Sequence, residues 1–229
     1  MESSLYRRRL KRFREEVSLY PVSCEKLCNG RSDREWLDGV LAGGARIVQL
    51  RDKVSEDAAL LDKANYFRRR TREAGALFLV NDRLDIALLS DADGMHVGQD
   101  DLPCEAIRRL GPDFLIGLSC NNEDEARALG EKVRKGESGA SYFNIGPLYS
   151  TETKEGLHTF LGPAAVKRYS SLCDLPFTVM GGIKLEHVDE LVRAGARRIA
   201  VVTAITRAED MAGETARWIE TIRHGESSK

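Results

Sequence analysis

Short apolar runs recur along the chain, and longer segments with apolar residues at helical spacing separate most of them. Several of these runs are apolar without alternation, which is typical of strands that are covered on both faces. Strands that alternate with helices predict a parallel sheet, and eight such units predict a closed (β/α)8 TIM barrel of the α/β class. The predicted strands are residues 19–22, 47–50, 77–80, 95–97, 114–118, 142–145, 177–180 and 199–202.

The segments between the strands carry signals for helix starts and ends. In residues 33–42, apolar side chains recur at helical spacing, and Ser32 with Glu35 forms the pattern of a capping box. Residues 122–135 and 186–194 are further predicted helices. An open doubly wound sheet is the structural alternative, but no Gly-x-Gly-x-x-Gly motif follows the first strand, which counts against a dinucleotide fold.

The length of the chain fits a single large domain. It has 229 residues, of which 42% are hydrophobic, and a barrel of this kind needs roughly 200–250 residues. We expect a basic amphipathic helix in residues 1–17, the barrel in residues 18–223 and a C-terminal tail in residues 224–229. The basic helix could bind a nucleic acid or a membrane surface, or it could pack on the N-terminal face of the barrel. We favour packing on the barrel because the rest of the chain is not basic.

The composition argues against several classes of protein. The formal net charge of −1 gives no global attraction to nucleic acid or membranes, and no apolar run approaches the ~18 residues of a membrane span. The N-terminus has no hydrophobic signal segment, so we expect a cytoplasmic protein. Five scattered cysteines argue against a disulfide framework, and Cys24 with Cys28 lacks the second pair that a structural zinc site needs. The oligomeric state stays open, a homodimer included.

Polar residues or glycines come directly after most of the predicted strands. In a barrel these positions lie at the carboxyl ends of the strands, where such folds carry their active sites. Gly181 and Gly182 follow the seventh strand, and Val202 and Thr203 end the eighth. Phosphate commonly binds beside these two loops, because backbone N–H groups can approach an anion closely there. We therefore interpret these residues as a phosphate site, and a simple tight turn is the alternative for the two glycines.

A second anion site is predicted across the mouth of the barrel. Arg51 and Lys53 alternate after the second strand, and Thr151-Glu152-Thr153-Lys154 adds hydroxyls and a cation after the sixth. Asp82 and Asp101 follow the third and fourth strands, and Mg²⁺ typically binds one or two carboxylates together with substrate phosphates. These charges together indicate Mg²⁺ bridging a diphosphate. Solvated loop charges are the alternative, as is a helix-capping role for Asp82.

Several motifs, in order along residues 19–206, resemble those of the thiamine phosphate synthase family. The motifs after the early strands are Gln49-Leu50-Arg51-Asp52-Lys53, Asn81-Asp82-Arg83-Leu84-Asp85 and His96-Val97-Gly98-Gln99-Asp100-Asp101-Leu102. The later motifs are Gly117-Leu118-Ser119, Gly146-Pro147 with Thr151-Glu152-Thr153-Lys154, Met180-Gly181-Gly182-Ile183, and Val201-Val202-Thr203-Ala204-Ile205. A glycine pair alone would be a weak signal, but this ordered series is a strong one.

The resemblance implies a (β/α)8 barrel that joins the two halves of thiamine. Hydroxymethylpyrimidine diphosphate would lose diphosphate, and the nitrogen of hydroxyethylthiazole phosphate would take its place. The family reaction is dissociative, so that a pyrimidine-stabilised carbocation forms before capture. Such a reaction needs charge stabilisation and positioning more than it needs a base. No nucleophile–base pair is evident in the sequence, which agrees with this chemistry.

The resemblance also implies roles for individual residues. Asp82 and Asp101 would bind Mg²⁺, for which Mn²⁺ could substitute, and Gln49 would contact the pyrimidine. Diphosphate contacts are implied for Arg51, Lys53, Asn81, Ser119 and Lys154. All of these residues except Asn81 would also be catalytic. The thiazole phosphate site would comprise Thr151, Thr153, Gly182, Val202 and Thr203. His96 belongs to a motif, and we interpret it as a packing residue rather than an acid or base.

Two departures from the family pattern concern the site. Thr203 stands where many members carry serine, and a hydroxyl group is retained. Cys120-Asn121 stands where a small residue and histidine are common, which makes Cys120 a candidate for an oxidisable thiol near the site.

Three other functions compete with the synthase. A thiazole tautomerase of the same fold would need the phosphate site without the diphosphate and metal residues. A sugar-phosphate epimerase or isomerase would need an acid–base pair at the mouth, and none is convincing. A non-catalytic sensor of thiamine phosphate would tolerate the loss of Asp82, Asp101 or Lys154, and all three are present.

Overall fold

In the computed structural model, which describes residues 3–151 and 159–227, eight parallel strands form one sheet. The strands are β1 (Leu19–Pro21), β2 (Ile47–Leu50), β3 (Leu77–Asn81), β4 (Gly94–Val97), β5 (Leu115–Cys120), β6 (Tyr142–Ile145), β7 (Phe177–Val179) and β8 (Ile199–Val201). All the predicted strands are present, and their ends differ from the predictions by no more than two residues.

The strands follow one another around a ring. Each of β2 to β7 pairs in parallel with the next strand of the chain, and β8 pairs with β1. An isolated bridge between Val22 and Gln49 joins β1 to β2, and the Ser23 N–H donates to the Gln49 carbonyl oxygen at 2.9 Å. The predicted (β/α)8 barrel is therefore confirmed, and an open doubly wound sheet is excluded.

Helices separate the strands and cover the outside of the barrel. They are α1 (Ser4–Glu15), α2 (Asp33–Ala42), α3 (Asp57–Ala74), α4 (Leu84–Leu89), α5 (Cys104–Leu110), α6 (Glu123–Arg134), α7 (Ala164–Ser170), α8 (Val188–Arg193), α9 (Thr203–Thr206) and α10 (Met211–Ser227). The capping box of α2 is confirmed: Ser32 Oγ accepts from the Glu35 N–H, and the Glu35 carboxylate accepts from the Ser32 N–H. Among the described residues, no helix has the length and apolar character that crossing a membrane requires.

Helix α1 closes the N-terminal end of the barrel. Its Phe13 is fully buried, and the centroids of the Phe13 and Tyr142 rings are 4.5 Å apart. Arg9 is also buried, and its Nε donates to Asp93 at 3.0 Å. Arg198 Nε donates to the Phe13 carbonyl oxygen at 2.8 Å. These contacts confirm the prediction that the basic helix packs on the barrel.

Two predicted boundaries need correction. Residues 224–227, expected in a C-terminal tail, form the end of α10. The helix predicted at residues 186–194 divides into a 3₁₀ turn, Leu185–His187, followed by α8. Helix ends fray, and a terminal turn is often 3₁₀, so exact helix boundaries are the part of such a prediction most open to change.

The interior of the barrel is an apolar layer that becomes polar toward the mouth. Ile47 and Leu79 lie in the interior cluster, and side chains of a strand alternate between its two faces. Two residues further along, Gln49 and Asn81 therefore point to the same side as these apolar residues. The same alternation places the Ser119 side chain of β5 on the interior face of the barrel. The strand period thus sets the positions from which the site is built.

Candidate functional site

The carboxyl ends of the strands surround a cleft of about 230 Å³. Every predicted site residue that lies in the described ranges lines this cleft. These residues are Gln49, Arg51, Lys53, Asn81, Asp82, Asp101, Ser119, Thr151, Gly182, Val202 and Thr203. The remaining two, Thr153 and Lys154, lie outside the described residues. Residues that are far apart in the chain are thus gathered at one mouth of the barrel.

The loop after β2 holds two cations at the edge of the cleft. The Arg51 N–H donates to Ser23 Oγ at 3.1 Å, which ties this loop to the end of β1. The Asp52 carboxylate accepts from two N–H groups of the following turn, each at 2.9 Å. These bonds fix the backbone around Arg51 and Lys53. The Lys53 ammonium forms an ion pair with Asp82.

Asp82 and Asp101 are neighbouring carboxylates. The Asp82 N–H donates to the His96 carbonyl oxygen at 2.9 Å, and Asp101 Oδ2 accepts from the Gly98 N–H at 2.7 Å. Burial raises the pKa of Asp82; Lys53 opposes this shift and the Asp101 carboxylate adds to it. Two adjacent carboxylates whose charges repel each other suit a divalent cation, and Mg²⁺ takes oxygen ligands of this type. The donor set therefore fits the predicted metal.

The helix-capping alternative for Asp82 is wrong. Helix α4 begins at Leu84, its N-cap residue is Arg83, and no side chain accepts a capping hydrogen bond there. The backbone of Asp82 has φ +59°, in the left-handed region that few residues other than glycine, asparagine and aspartate adopt. The Asp82 carboxylate instead pairs with Lys53 and lines the cleft.

Another group of carboxylates, Glu25, Asp33 and Asp52, lies beside the loop after β2, with ligand atoms within 4.8 Å of one another. The Lys63 ammonium occupies its centre, with Nζ at 2.5, 2.9 and 2.6 Å from the three carboxylates respectively. Burial raises the pKa of Asp33 to about 6, although Lys63 opposes the shift. Because an ammonium group already bridges the three, we interpret this cluster as an ion-pair network that anchors the loop bearing Arg51.

The turn after β7 forms the opposite wall of the cleft. Gly181 and Gly182 have φ +103° and +60°. A Cβ atom at Gly182 would lie 2.1 Å from the Ser150 carbonyl oxygen, and one at Gly181 would lie 2.5 Å from Pro147 Cα. The turn is therefore tight, and it also lines the cleft beside Thr203 at the start of α9. The first N–H groups of a helix lack intrahelical partners, so this wall offers donors for an anion.

Several polar residues of the barrel interior were missed in the sequence. Tyr20 and Tyr142 are buried, with hydroxyl oxygens 3.0 Å apart, and Thr178 Oγ1 donates to Asn144 Oδ1 at 2.9 Å. Burial raises the pKa of Tyr20 to about 12 and that of Tyr142 well above its usual value, so both hydroxyls keep their protons. The signal was a polar residue at an interior position of an apolar strand, such as Asn144 in β6.

His96 has a polar role beyond the packing that we inferred from the sequence. Its Nδ1 lies 3.0 Å from the Tyr142 hydroxyl, and its Nε2 lies 2.9 Å from Ser119 Oγ. Burial lowers the pKa of His96 to about 4, so the ring is neutral at physiological pH. A Cβ atom at Gly117 would lie 2.3 Å from His96 Nδ1. Only glycine therefore fits beneath the bond between His96 and Tyr142.

The structure argues against Cys120 as the candidate oxidisable thiol. Its side chain is fully buried and belongs to the apolar layer between the strands and the helices. Burial raises the pKa of Cys120 to about 12. The thiolate is the reactive form of cysteine, so a buried thiol with a raised pKa is unreactive.

The chain is similar to known proteins over most of its length. Residues 19–205 match the family model described as thiamine monophosphate synthase. A thiamine-phosphate synthase of Shouchella clausii is 38% identical over 194 residues, which cover 84% of this chain and 90% of that protein. A thiamine-phosphate synthase of Streptomyces avermitilis is 43% identical over 192 residues, covering 83% of this chain and 86% of that protein.

The solved structures include a thiamine phosphate pyrophosphorylase from Pyrococcus furiosus. It superimposes with a TM-score of 0.82 at 29% sequence identity, and the match covers 93% of this chain and 98% of the other. The family match, the similarity over most of both chains and the shared barrel lead to one conclusion. The chain belongs to the thiamine monophosphate synthase family.

Proposed function

We propose that the chain joins 4-amino-2-methyl-5-hydroxymethylpyrimidine diphosphate to 4-methyl-5-(2-hydroxyethyl)thiazole phosphate, giving thiamine phosphate and diphosphate. The supporting observation is that two walls of the cleft carry different groups. Cations and paired carboxylates line the wall at β2 to β4, and the glycine turn and the start of α9 line the wall at β7 and β8. One wall suits a diphosphate and the other a monophosphate, which are the anions that this reaction brings together.

The wall at β2 to β4 would receive the pyrimidine diphosphate. Arg51, Lys53, Asn81, Ser119 and Lys154 would contact the diphosphate in this proposal. When bound at Asp82 and Asp101, Mg²⁺ or Mn²⁺ would neutralise part of the negative charge on the diphosphate. Lys53, which pairs with Asp82 in the structure, is then available to contact a phosphate oxygen.

The wall at β7 and β8 would hold the second substrate. Gly182, Val202 and Thr203, with Thr151 and Thr153 of the loop after β6, would bind the phosphate of the thiazole. Gln49 would contact the pyrimidine from the floor of the cleft. Binding both substrates between these walls places the thiazole nitrogen next to the methylene carbon that it attacks.

The reaction proceeds in two bond changes. The bond between the methylene carbon and the diphosphate oxygen breaks, and its electron pair leaves with the diphosphate. The thiazole nitrogen then donates its lone pair to the methylene carbon of the carbocation. Arg51, Lys53 and Ser119 stabilise the charge that develops on the leaving group, and preorganised charges of this kind act strongly inside a dry cleft.

The thiazole tautomerase alternative uses only the monophosphate wall. It gives no reason for Arg51, Lys53 and the adjacent carboxylates of Asp82 and Asp101 to face the same cleft. The diphosphate wall therefore favours the synthase.

Metal dependence tests the diphosphate side of the proposal. Diphosphate release is measured with both substrates while Mg²⁺ is titrated into chelator-treated protein, and Mn²⁺ is titrated in parallel. We expect no release in excess chelator and full recovery with either ion. Full activity in excess chelator would contradict the metal role of Asp82 and Asp101.

A further inference from the structure

A continuous chain of five hydrogen-bonded side chains crosses the barrel interior beneath the cleft. Gln49 Nε2 donates to the Tyr20 hydroxyl at 2.8 Å, and the hydroxyls of Tyr20 and Tyr142 are 3.0 Å apart. The chain continues from Tyr142 to His96 Nδ1 at 3.0 Å and from His96 Nε2 to Ser119 Oγ at 2.9 Å. It therefore begins and ends at residues that line the cleft.

The middle of the chain is shielded from solvent, whereas His96 and Ser119 are half-buried at the cleft. Tyr20 and Tyr142 are only 2% and 0% exposed, and Gln49 is 4% exposed. The Phe13 ring of α1 packs on Tyr142 from below. An unpaired polar group at such depth is costly, so the hydroxyl protons of Tyr20 and Tyr142 must each meet an acceptor within the chain.

The donor at one end sets the direction of every bond. The Gln49 NH₂ group can only donate, so the Tyr20 oxygen accepts and the Tyr20 proton goes to Tyr142. Tyr142 has one proton, which it must then give to His96 Nδ1. With Nδ1 as the acceptor, the neutral imidazole carries its proton on Nε2 and donates it to Ser119 Oγ.

Ser119 therefore receives a hydrogen bond from within the barrel, and its own proton is left for the cleft. We propose that Tyr20, Tyr142 and His96 are positioning residues that hold the Ser119 hydroxyl as a donor directed at the bound substrate. Their role in turnover rests on the proposed function, in which Ser119 contacts the leaving diphosphate. A bound anion needs hydrogen-bond donors. A serine that donated its hydrogen bond to His96 would present only oxygen lone pairs to a phosphate oxygen.

The reversed chain is the alternative arrangement. If the Gln49 carbonyl oxygen faced Tyr20, every bond would turn around and His96 would carry its proton on Nδ1. Ser119 would then donate to His96 Nε2, as a serine does when a histidine activates it as a nucleophile. The imidazole tautomer thus distinguishes the two arrangements.

Nitrogen-15 NMR of histidine-labelled protein without any ligand reads this tautomer directly. The His96 signals are those absent from the spectrum of His96→Gln. We expect a proton on Nε2 and a bare, hydrogen-bond-accepting Nδ1. A proton on Nδ1, or an equal mixture of both tautomers, would overturn the proposal. The measurement needs no substrate, so its outcome is independent of whether the protein makes thiamine phosphate.

Tyr142→Phe tests whether the chain matters for turnover. The change removes the donor to His96 Nδ1, so the tautomer is no longer held and Ser119 can turn its proton inward. We expect kcat to fall about tenfold, the size of one lost hydrogen bond, with a smaller change in the KM for thiazole phosphate. The NMR signals should also shift toward a mixture of tautomers.

Tyr66→Phe is the matched control for this variant. Tyr66 lies on α3, and its hydroxyl donates to Asp38 at 2.7 Å, away from the cleft. It should keep the wild-type kcat and the wild-type His96 tautomer. Wild-type kcat in Tyr142→Phe would refute the positioning role, and if that variant does not fold, the ligand-free NMR result on the wild type decides.

Discussion

At the scale of single residues, the cleft depends on backbone conformations and protonation states that only a few side chains provide. Asp82 occupies a left-handed backbone conformation while its carboxylate lies between Lys53 and Asp101. Desolvation of the half-buried His96 ring keeps it neutral, although Asp101 lies near enough to oppose the shift in pKa.

Asp82→Asn should lower kcat/KM at least ~100-fold if the proposed function is right, because the neutral amide would not hold the cation that stabilises the leaving diphosphate in that proposal. Asparagine tolerates the left-handed conformation, so the backbone is retained. Steady-state kinetics over a range of Mg²⁺ concentrations measure the effect. Asp85→Asn is the control: Asp85 is exposed on α4 and pairs with Arg83, so its loss should leave turnover within about twofold. Near-normal turnover in Asp82→Asn would refute the metal assignment.

Stability should fall in acid because His96 resists protonation in the folded protein. Its folded pKa of about 4 lies below the unfolded value of about 6.5, so the stabilisation is complete above pH 6.5 and is lost as the pH falls toward 4. Between pH 7 and 4.5 the free energy of unfolding should drop by roughly 2 kcal/mol more in wild type than in His96→Gln. Urea unfolding at both pH values measures this difference. Equal drops would contradict the buried neutral state.

At the scale of elements, two segments shape the ends of the barrel. The turn after β7 forms the wall of the cleft that we propose binds the monophosphate, and helix α1 seals the opposite end below Tyr142. The turn depends on glycines that no other residue can replace without a clash, whereas α1 depends on a buried aromatic ring. Substitutions in the two segments should therefore affect the protein in different ways.

Gly182→Ala should both destabilise the protein and raise the KM for thiazole phosphate. The new Cβ atom would lie 2.1 Å from the Ser150 carbonyl oxygen, so the wall of the site must move. Gly136→Ala is the control, because Gly136 has a similar φ of +71° but a Cβ atom there would meet no other atom within 4 Å. It should lose about 1 kcal/mol of stability from backbone strain alone, with unchanged kinetics. Equal KM values in both variants would argue against a phosphate site at this turn.

Phe13→Ala should lower the free energy of unfolding by about 3–5 kcal/mol, since it removes a fully buried ring from the sealed end of the barrel. Arg8→Ala on the exposed face of the same helix should change it by less than about 0.5 kcal/mol. Denaturant unfolding of both variants makes the comparison. Equal stability of the two would show that α1 does not pack on the barrel in solution.

At the scale of the whole molecule, the strand pattern was enough to predict the barrel, because each buried run is marked by its own apolar residues. The cleft residues followed from the same pattern, since Gln49, Arg51, Asp82 and Thr203 all lie just past, or at the ends of, strands. The interior network could not be predicted, because Tyr20 and Tyr142 read as ordinary apolar strand residues. Their hydroxyls meet across the barrel only once the ring has closed.

The division of the cleft is a property of the closed barrel as well. Gly182 and Asp82 are 100 positions apart in the chain, yet both line one mouth of the ring. An enzyme that joins two anionic substrates needs such opposed walls, because like charges on the two ligands would otherwise keep them apart. In the proposed function, this cleft carries out the joining reaction.

The most direct test is the formation of thiamine phosphate by the purified protein, read as fluorescent thiochrome after oxidation. The complete mixture holds the pyrimidine diphosphate, the thiazole phosphate and Mg²⁺, and each component is omitted in turn. We predict product in the complete mixture and none in any of the omissions. Folded protein that binds thiazole phosphate but forms no product would contradict the claim and favour the tautomerase or sensor instead.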